Sequence, residues 1–326
     1  MIIVKKTFCL YLTLIMLGYS CVAMKNINSG KSQIISNSEW RTQDNKTFKY
    51  RSWAKNENPK AIIIAVHGLS GASSDFEPLG AYFQSKDFNI YAVNERGQGN
   101  DPDKNNRGDI KDYKNWIDDL DNFTHLISEK NKNVPVFYYA ESLGALITGN
   151  LLIEKKPQNI KGVIFASPVI KLEGEIPWWQ NLIFRTMLLI KPDQKISFSD
   201  LSKNDKVKPD KEKQRVTRND QYQESLSKMP HYIDSFTLRF LKNVGAMIEN
   251  INNHADKINQ NLLIVYAGKD IFTKPQYIDN FFQKIGSDNK EKILFPQSYH
   301  LLLHDSDKDE VLKNIEVWLN KSLEHL

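Results

Sequence analysis

An apolar strand that runs directly into a serine and then into a helix is the feature that most restricts how this chain can fold. The segment reads Phe137-Tyr138-Tyr139-Ala140-Glu141-Ser142-Leu143-Gly144-Ala145. In so tight a turn the serine takes a strained backbone angle, and a bulky residue two places away would collide with the neighbouring strand and helix. Ala140 and Gly144 are small enough, although Ala140 stands where the consensus has glycine. By themselves, these residues allow either a nucleophile elbow or an ordinary strand-to-helix turn.

The composition is that of a folded globular protein. Of the 326 residues, 40% are hydrophobic and 25% are charged, which is ordinary for a chain with a large core. The formal net charge of +5 is small for this length and gives no electrostatic reason to expect a nucleic-acid partner. We also expect no metal site, because the seven histidines are scattered and no cluster has a ligand spacing paired with a glutamate.

The amino terminus has the pattern of an export signal. Lys5 and Lys6 precede an apolar run from Thr7 to Leu17, which is shorter than the roughly 20 residues of a membrane-spanning helix. Small and polar residues follow, as they do at a cleavage site. The sequence therefore predicts a signal peptide over residues 1–23 and a polar, flexible tether over residues 24–38.

Cys21 leaves the mode of attachment open. The run Leu17-Gly18-Tyr19-Ser20-Cys21 resembles the lipobox of bacterial lipoproteins, in which the cysteine is acylated and becomes the first mature residue. Lipid chains on Cys21 would anchor the exported protein to a membrane. Cleavage after Ala23 would instead give a soluble protein in the periplasm or outside the cell. Because Cys9 lies inside the predicted signal, the mature chain has no internal disulfide.

Beyond the signal, short apolar runs alternate with amphipathic ones, which predicts an α/β fold with a mostly parallel sheet and helices on both faces. Several of the runs show no polar alternation, as expected for strands that are buried on both faces. A turn at Asp44-Asn45-Lys46 predicts that Glu39 to Trp53 forms an antiparallel hairpin. The predicted strands are Thr47 to Trp53, Ala61 to Val66, Asn89 to Val93, Val134 to Ala140, Gly162 to Ala166, Leu262 to Ala267 and Ile293 to Phe295.

About 90 residues separate the fifth and sixth predicted strands, which is too many for a plain connection. The sequence thus predicts a structured cap insertion over residues 169–258, between two parts of a core at 39–168 and 259–326. Within it, Trp178 to Ile190 is strongly apolar and predicts either a lid or a helix that only packs on the core. The charged stretch from Lys191 to Asp220 predicts a solvated loop.

In an open parallel sheet the chemistry lies at the carboxyl ends of the strands, so partners for Ser142 are expected there. The strand Leu262 to Ala267 is followed by Asp270, and the strand Ile293 to Phe295 by His300. The chain order is therefore serine, aspartate, histidine. In this arrangement His300 can accept the serine proton while Asp270 orients the imidazole.

The second predicted strand ends in the small-residue turn His67-Gly68-Leu69. Such a turn can direct the Leu69 N–H at an oxyanion, with the Leu143 N–H as the second donor. We expect His67 to shape this loop rather than to catalyse. His304 is also a poor candidate for the base, because the three leucines before it are typical of a helix.

Together these motifs resemble the α/β-hydrolase superfamily, and within it the monoacylglycerol lipase and lysophospholipase group, also labelled serine aminopeptidase-like hydrolases. The similarity covers roughly Thr47 to Leu319. This sequence departs from the group at Asn94 and Gln98, where the group has Asp and His, at Ala140 for Gly, and at Leu301, where the group often has an acid. The resemblance rests on His67-Gly68-Leu69, Asn94-Glu95-Arg96-Gly97-Gln98-Gly99, the Ser142 elbow, and the spaced Asp270 and His300.

The resemblance implies a serine ester hydrolase that needs no cofactor and cleaves single-chain lipid esters, monoacylglycerols or lysophospholipids, through an acyl-enzyme. It also implies that the cap covers Ser142, lines an acyl channel and offers a route to the membrane besides Cys21. A serine aminopeptidase of the same fold and a non-catalytic surface or periplasmic binding protein are the alternatives. The cap residues expected in the channel are Trp178, Trp179, Phe184 and Leu188.

Overall fold

The computed structural model describes residues 30–157, 159–171, 178–197 and 214–324, with the backbone alone at 178–180. In these ranges the chain forms eleven strands and eight α-helices. The strands are β1 (Gln33–Ile34), β2 (Glu39–Arg41), β3 (Thr47–Trp53), β4 (Ala61–Val66), β5 (Phe88–Val93), β6 (Val136–Glu141), β7 (Ile160–Ala166), β8 (Lys195–Ser197), β9 (Ser235–Thr237), β10 (Asn261–Ala267) and β11 (Lys290–Phe295). The helices are α1 (Glu77–Gln84), α2 (Lys114–Lys130), α3 (Leu143–Glu154), α4 (Trp178–Ile190), α5 (Asp220–Ser225), α6 (Leu238–Asn253), α7 (Pro275–Lys284) and α8 (Lys308–Glu324).

Nine of these strands form one β-sheet in the order β1-β2-β3-β5-β4-β6-β7-β10-β11. The six strands from β5 to β11 in that order run parallel, whereas β1, β2 and β3 pair antiparallel. The predicted hairpin is present as β2 and β3, with Asn45 at φ 62° in its turn, a conformation that asparagine tolerates. The expectation of an α/β fold with a mostly parallel sheet is confirmed.

The central strands lack polar alternation because helices cover both faces of the sheet. Every residue of β4, β5 and β6 is buried. Along β4, Ile62 and Ile64 pack in the cluster that contains residues of α2, α3 and α6. Ile63, which points the other way, packs with residues of α1 and α8. Burial of such a side chain stabilises the fold by about 1.5 to 3 kcal/mol. The side chains of these strands therefore hold the helices on both faces of the sheet.

The insertion after β7 has secondary structure in its described part. Helix α4 is followed by β8, and β9 pairs antiparallel with β8 before the chain enters α6. The prediction of a solvated loop over residues 191–220 is therefore wrong for β8. Its three residues are too few to show a strand pattern, and the strand exists because β9, about 40 residues later, supplies the hydrogen bonds.

The amino-terminal end of the described chain corrects the predicted tether. Ile34 of β1 pairs with Trp40, and the Ser36 carbonyl accepts a hydrogen bond from the Tyr50 hydroxyl at 2.9 Å. These contacts hold the last residues of the 24–38 segment on the sheet. The predicted signal peptide, Cys21 and the first part of the tether lie outside the described residues. Among those that are described, no helix combines the length and hydropathy needed to cross a bilayer.

Candidate active site

Ser142 lies in the turn between β6 and α3 with φ 54° and ψ −113°. Such a backbone conformation costs about 1 to 3 kcal/mol in a residue with a side chain, and it persists only where the surrounding structure enforces it. The elbow is crowded at Gly144, because an added Cβ would lie 2.2 Å from the Val66 carbonyl oxygen. Ala140, in contrast, is fully buried within β6, so this position accommodates the extra methyl group.

Asp270 and His300 lie at the carboxyl ends of β10 and β11 and contact each other. His300 Nδ1 is 2.7 Å from Asp270 Oδ2, and both side chains are almost wholly shielded from solvent. The other carboxylate oxygen of Asp270 accepts the N–H groups of Phe272 and Thr273 at 2.8 and 3.3 Å. Burial lowers the pKa of His300, but the Asp270 carboxylate and, to a smaller extent, Glu141 together raise it by more, so the net pKa lies above its ordinary value.

Backbone hydrogen bonds at the strand ends connect the serine turn, through the ends of β7 and β10, to the end of β11. Because β6, β7, β10 and β11 are consecutive neighbours in the sheet, the three predicted triad residues emerge at the same edge. The connecting bonds run from the N–H of Ser142 to the oxygen of Ala166 at 3.0 Å, from Ser167 to Val265 at 2.8 Å and from Gly268 to Phe295 at 2.9 Å.

The loop that follows β4 passes directly beside the serine. A Cβ built on Gly68 would lie 3.0 Å from Ser142 Cβ and 3.6 Å from its Oγ. The backbone of Leu69 thus comes from the loop next to the hydroxyl, and that of Leu143 from the first turn of α3. An oxyanion hole requires two N–H donors beside the nucleophile, and the role of Leu69 and Leu143 as these donors stays a prediction.

Side chains from the turn after β5 hold this loop. Gln98 Oε1 accepts the Ser70 N–H at 3.0 Å, and Asn94 Oδ1 accepts the Ser73 N–H at 2.8 Å. The two departures from the group's motif therefore provide neutral hydrogen-bond acceptors. His67 Nε2 accepts the Glu95 N–H at 3.2 Å, and burial lowers the pKa of His67 to about 4, so its imidazole is neutral at neutral pH.

His304 is occupied away from the serine. Its Nε2 lies 2.9 Å from the Asp75 carbonyl oxygen, and its ring stacks on Tyr222 with the centroids 4.0 Å apart. Burial lowers the pKa of His304. Within the described ranges, no three His, Cys, Asp or Glu side chains come together as a metal site would require.

Glu141, the residue before the serine, is a buried acid that the sequence analysis did not consider. Only 8% of the Glu141 surface is exposed to solvent. Burial raises the pKa of Glu141 to about 7, with His300 opposing the rise and Asp75 adding to it. The Glu141 carboxylate in turn helps to raise the pKa of His300. The signal in the sequence was an acid at the end of an otherwise apolar strand.

Replacing Glu141 with glutamine is expected to extend activity toward lower pH. His300 must be neutral to accept a proton, and a carboxylate nearby stabilises its charged form. Without that charge the pKa of His300 falls, so the acid limb of the kcat/KM profile on a neutral short ester moves to lower pH. Glu129→Gln, which alters an exposed acid on α2, serves as the control. An unchanged acid limb in Glu141→Gln would contradict the coupling.

In the described part of the cap, helix α4 has one half-buried face and one exposed face. Phe184 and Leu188, one helical turn apart, are half-buried, and α4 packs against α6. The side chains of Trp178 and Trp179 lie outside the described residues. Most other apolar side chains of α4 are exposed to solvent. The exposed ones are Leu182, Ile183, Met187, Leu189 and Ile190.

Comparison with known proteins identifies a family for most of the chain. A family model described as serine aminopeptidase, S33 matches residues 57–307. Phospholipase YtpA of Bacillus subtilis is 22% identical over 260 residues, which cover 79% of this chain and 95% of that protein. The monoglyceride lipase of Saccharomyces cerevisiae is 22% identical over 300 residues, covering 87% and 93%.

Solved structures show the same fold at low identity. The crystal structure of Paleococcus ferrophilus monoacylglycerol lipase gives a TM-score of 0.68 at 21% identity and covers 86% of this chain and 99% of that one. A soluble variant of the Saccharomyces cerevisiae monoglyceride lipase, solved with a substrate analog, gives a TM-score of 0.72 at 18% identity, covering 93% and 98%. The chain therefore has the α/β-hydrolase fold.

Proposed function

Because the chain belongs to the serine aminopeptidase S33 family of α/β-hydrolases, we propose that it is a serine hydrolase of single-chain lipid esters, either monoacylglycerols or lysophospholipids. The observation that carries the proposal is the buried His300–Asp270 pair, 2.7 Å apart, at the same sheet edge as the strained Ser142. The lipid-ester class is supported by the relatives described as phospholipase and monoglyceride lipase.

In the proposed reaction Ser142 Oγ attacks the ester carbonyl carbon while His300 Nε2 takes the hydroxyl proton. The Nδ1–H of His300 already donates to Asp270, so the carboxylate stabilises the imidazolium that forms. The negative charge that develops on the carbonyl oxygen is received by the N–H groups of Leu69 and Leu143.

Collapse of this intermediate breaks the bond to the alcohol. His300 returns the proton to the departing alkoxide, which leaves as glycerol or a glycerophospho-alcohol, and the acyl group stays on Ser142. Water then attacks the acyl-enzyme, with His300 as the base again, and the fatty acid leaves as Ser142 regains its proton. All acid–base steps use one histidine, so this mechanism calls for no cofactor.

The exposed face of α4 supports a lipid substrate. Five large apolar side chains there are between 39% and 85% exposed, and a contiguous exposed apolar patch is typical of a surface that binds a partner or a lipid layer. We assign the half-buried Phe184 and Leu188 to the acyl path and the exposed face to contact with the lipid aggregate. Export and attachment through Cys21 remain predictions from the sequence.

Hydrolysis of a substrate panel tests the proposal directly. The panel contains an acetyl ester, a monoacylglycerol, a lysophospholipid and an aminoacyl amide, the last because the family description names a peptidase. We expect the lipid esters to be cleaved with higher kcat/KM than the acetyl ester, and the amide to be cleaved least. Preferred cleavage of the amide would replace the proposal by an aminopeptidase, and turnover of none would favour a non-catalytic binding protein.

Substitutions on the two faces of α4 are expected to separate the acyl path from the lipid-contacting surface. Apolar burial contributes up to about 0.8 kcal/mol per methylene, so Phe184→Asn should lower kcat/KM on lauroyl esters about tenfold more than on acetyl esters. Leu189→Asn, which alters the most exposed leucine of α4, should leave both monomeric esters unaffected and reduce only hydrolysis of aggregated substrate. Equal losses by Phe184→Asn at every chain length would contradict the acyl path.

A further inference from the structure

The end of the cap insertion is fastened to the loop that carries His300. We refer to residues 215–219 as the return segment and to residues 298–305 as the histidine loop. The Leu301 N–H donates to the Val216 carbonyl at 2.9 Å. The Thr217 hydroxyl, which is buried, donates to the His304 carbonyl at 2.7 Å. The return segment therefore forms backbone contacts on the carboxyl-terminal side of the histidine.

Arg218 is the centre of this junction. Its backbone N–H donates to Asp305 Oδ2 at 3.0 Å, and its Nε pairs with the other oxygen of the same carboxylate. Its Nη2 lies 2.6 Å from Asp307 and 3.3 Å from the Ser298 hydroxyl. One guanidinium thus joins three side chains in and beside the histidine loop.

Asp305 connects Arg218 to Tyr299, the residue that precedes His300. Its side chain is fully shielded from solvent, and Oδ2 also accepts the N–H of Tyr299 at 3.1 Å. A buried carboxylate is stable only while a positive partner and hydrogen-bond donors compensate for its lost hydration. Loss of the Arg218 charge would therefore disturb Asp305 and, through it, the backbone that leads into His300.

We propose that Arg218 is a positioning residue for His300, acting through Asp305 so that the cap insertion holds the catalytic base in place. The inference rests on the proposed function of the triad. Asp270 fixes the ring of His300 at Nδ1, whereas the approach of Nε2 to Ser142 also depends on the backbone at residues 299–301. The return segment secures that backbone from both sides, and a displacement of about 1 Å in an active site can cost about 100-fold in rate.

Arg239 provides a matched control. It pairs with Asp109 where α6 begins, and its side chain is 27% exposed against 26% for Arg218. Both arginines therefore join cap to core through an Arg–Asp pair of similar exposure, but only the Arg218 pair contacts the histidine loop. Loss of cap attachment in general should follow from either substitution, and loss of His300 positioning only from that of Arg218.

The experiment measures kcat and KM on an acetyl ester, the rate of fluorophosphonate labelling and the melting temperature for Arg218→Ala, Arg218→Lys and Arg239→Ala. We expect Arg218→Ala to lower kcat and the labelling rate about 10- to 100-fold, with KM changed less than about threefold. Arg218→Lys should recover part of the loss, because lysine restores the charge but not the forked donor geometry. Arg239→Ala should lower the melting temperature and leave kcat near that of the wild type.

Equal kcat in the wild type and Arg218→Ala, with a similar loss of melting temperature in both alanine variants, would overturn the inference and leave Arg218 a structural residue. Should Arg218→Ala fail to fold, two substitutions that nearly keep the side-chain volume, Asp305→Asn and Arg218→Lys, replace it. Their kcat and melting temperature are then compared with those of Arg239→Lys. A wild-type protein that neither hydrolyses the ester nor reacts with the phosphonate would overturn the proposed function itself.

Discussion

Replacing Ser142 with alanine is expected to lower ester turnover by about 10⁴- to 10⁶-fold, the loss seen when a catalytic triad is dismantled, while the protein stays folded. The hydroxyl is the proposed nucleophile, and the remaining groups can only position water for a far slower attack. Alanine takes the place of serine in the same φ 54° turn, so the strain of the elbow is unchanged. Steady-state kinetics on a monoacylglycerol measure the loss of turnover, and circular dichroism of the variant shows whether it stays folded.

Ser167→Ala is the control for this experiment. Ser167 lies at the carboxyl end of β7, is buried, and also has a positive φ, 42°. In the described part of the chain its hydroxyl has no hydrogen-bond partner, so its removal should change turnover less than about threefold. A Ser142→Ala protein with near-normal turnover would exclude Ser142 as the nucleophile.

Replacing Asp270 with asparagine is expected to cost about 10⁴-fold in kcat. The carboxylate accepts the Nδ1–H of His300, and asparagine can instead donate to Nδ1, which holds the ring in the wrong tautomer. The pH profile should shift as well. The Asp270 carboxylate raises the pKa of His300, so its loss lowers that pKa, and the residual activity should persist to lower pH than in the wild type.

Asp309→Asn, which changes an aspartate that is 93% exposed on α8, controls for the loss of one negative charge. Its kcat and its acid limb should match the wild type, since an exposed charge is screened by solvent. A loss of less than about tenfold in Asp270→Asn, or an acid limb that moves to higher pH, would contradict the role given to Asp270.

The core of the fold could be predicted because its strands are buried on both faces and therefore consist of unbroken apolar runs. The same pattern located Ser142 and Asp270, which follow the buried strands β6 and β10. His300 follows β11, a partly exposed strand at the edge of the sheet whose last three residues are apolar. The short strands β1 and β8 could not be predicted, because two or three residues show no period. They exist only through pairing with β2 and β9.

The roles of residues that act through partners distant in the chain could not be predicted from the sequence. Arg218 stands in a lysine-rich stretch, and only the structure brings it to Asp305, which is 87 residues further along the chain. Glu141 was part of the elbow motif, but its raised pKa arises from burial and from Asp75, which lies on another element. Sequence motifs predict which groups can react, whereas the contacts that set the pKa values and positions of those groups exist only in the tertiary structure.

Mapping the site of fluorophosphonate modification tests the central claim most directly, because the reagent forms a bond only with a serine that a neighbouring base activates. The protein is labelled, digested and analysed by mass spectrometry, with and without prior incubation with a monoacylglycerol. We expect a single modified serine, Ser142, whose labelling slows when the lipid ester is present and is lost in His300→Ala. Modification of a different serine, or none in the folded wild-type protein, would contradict the account.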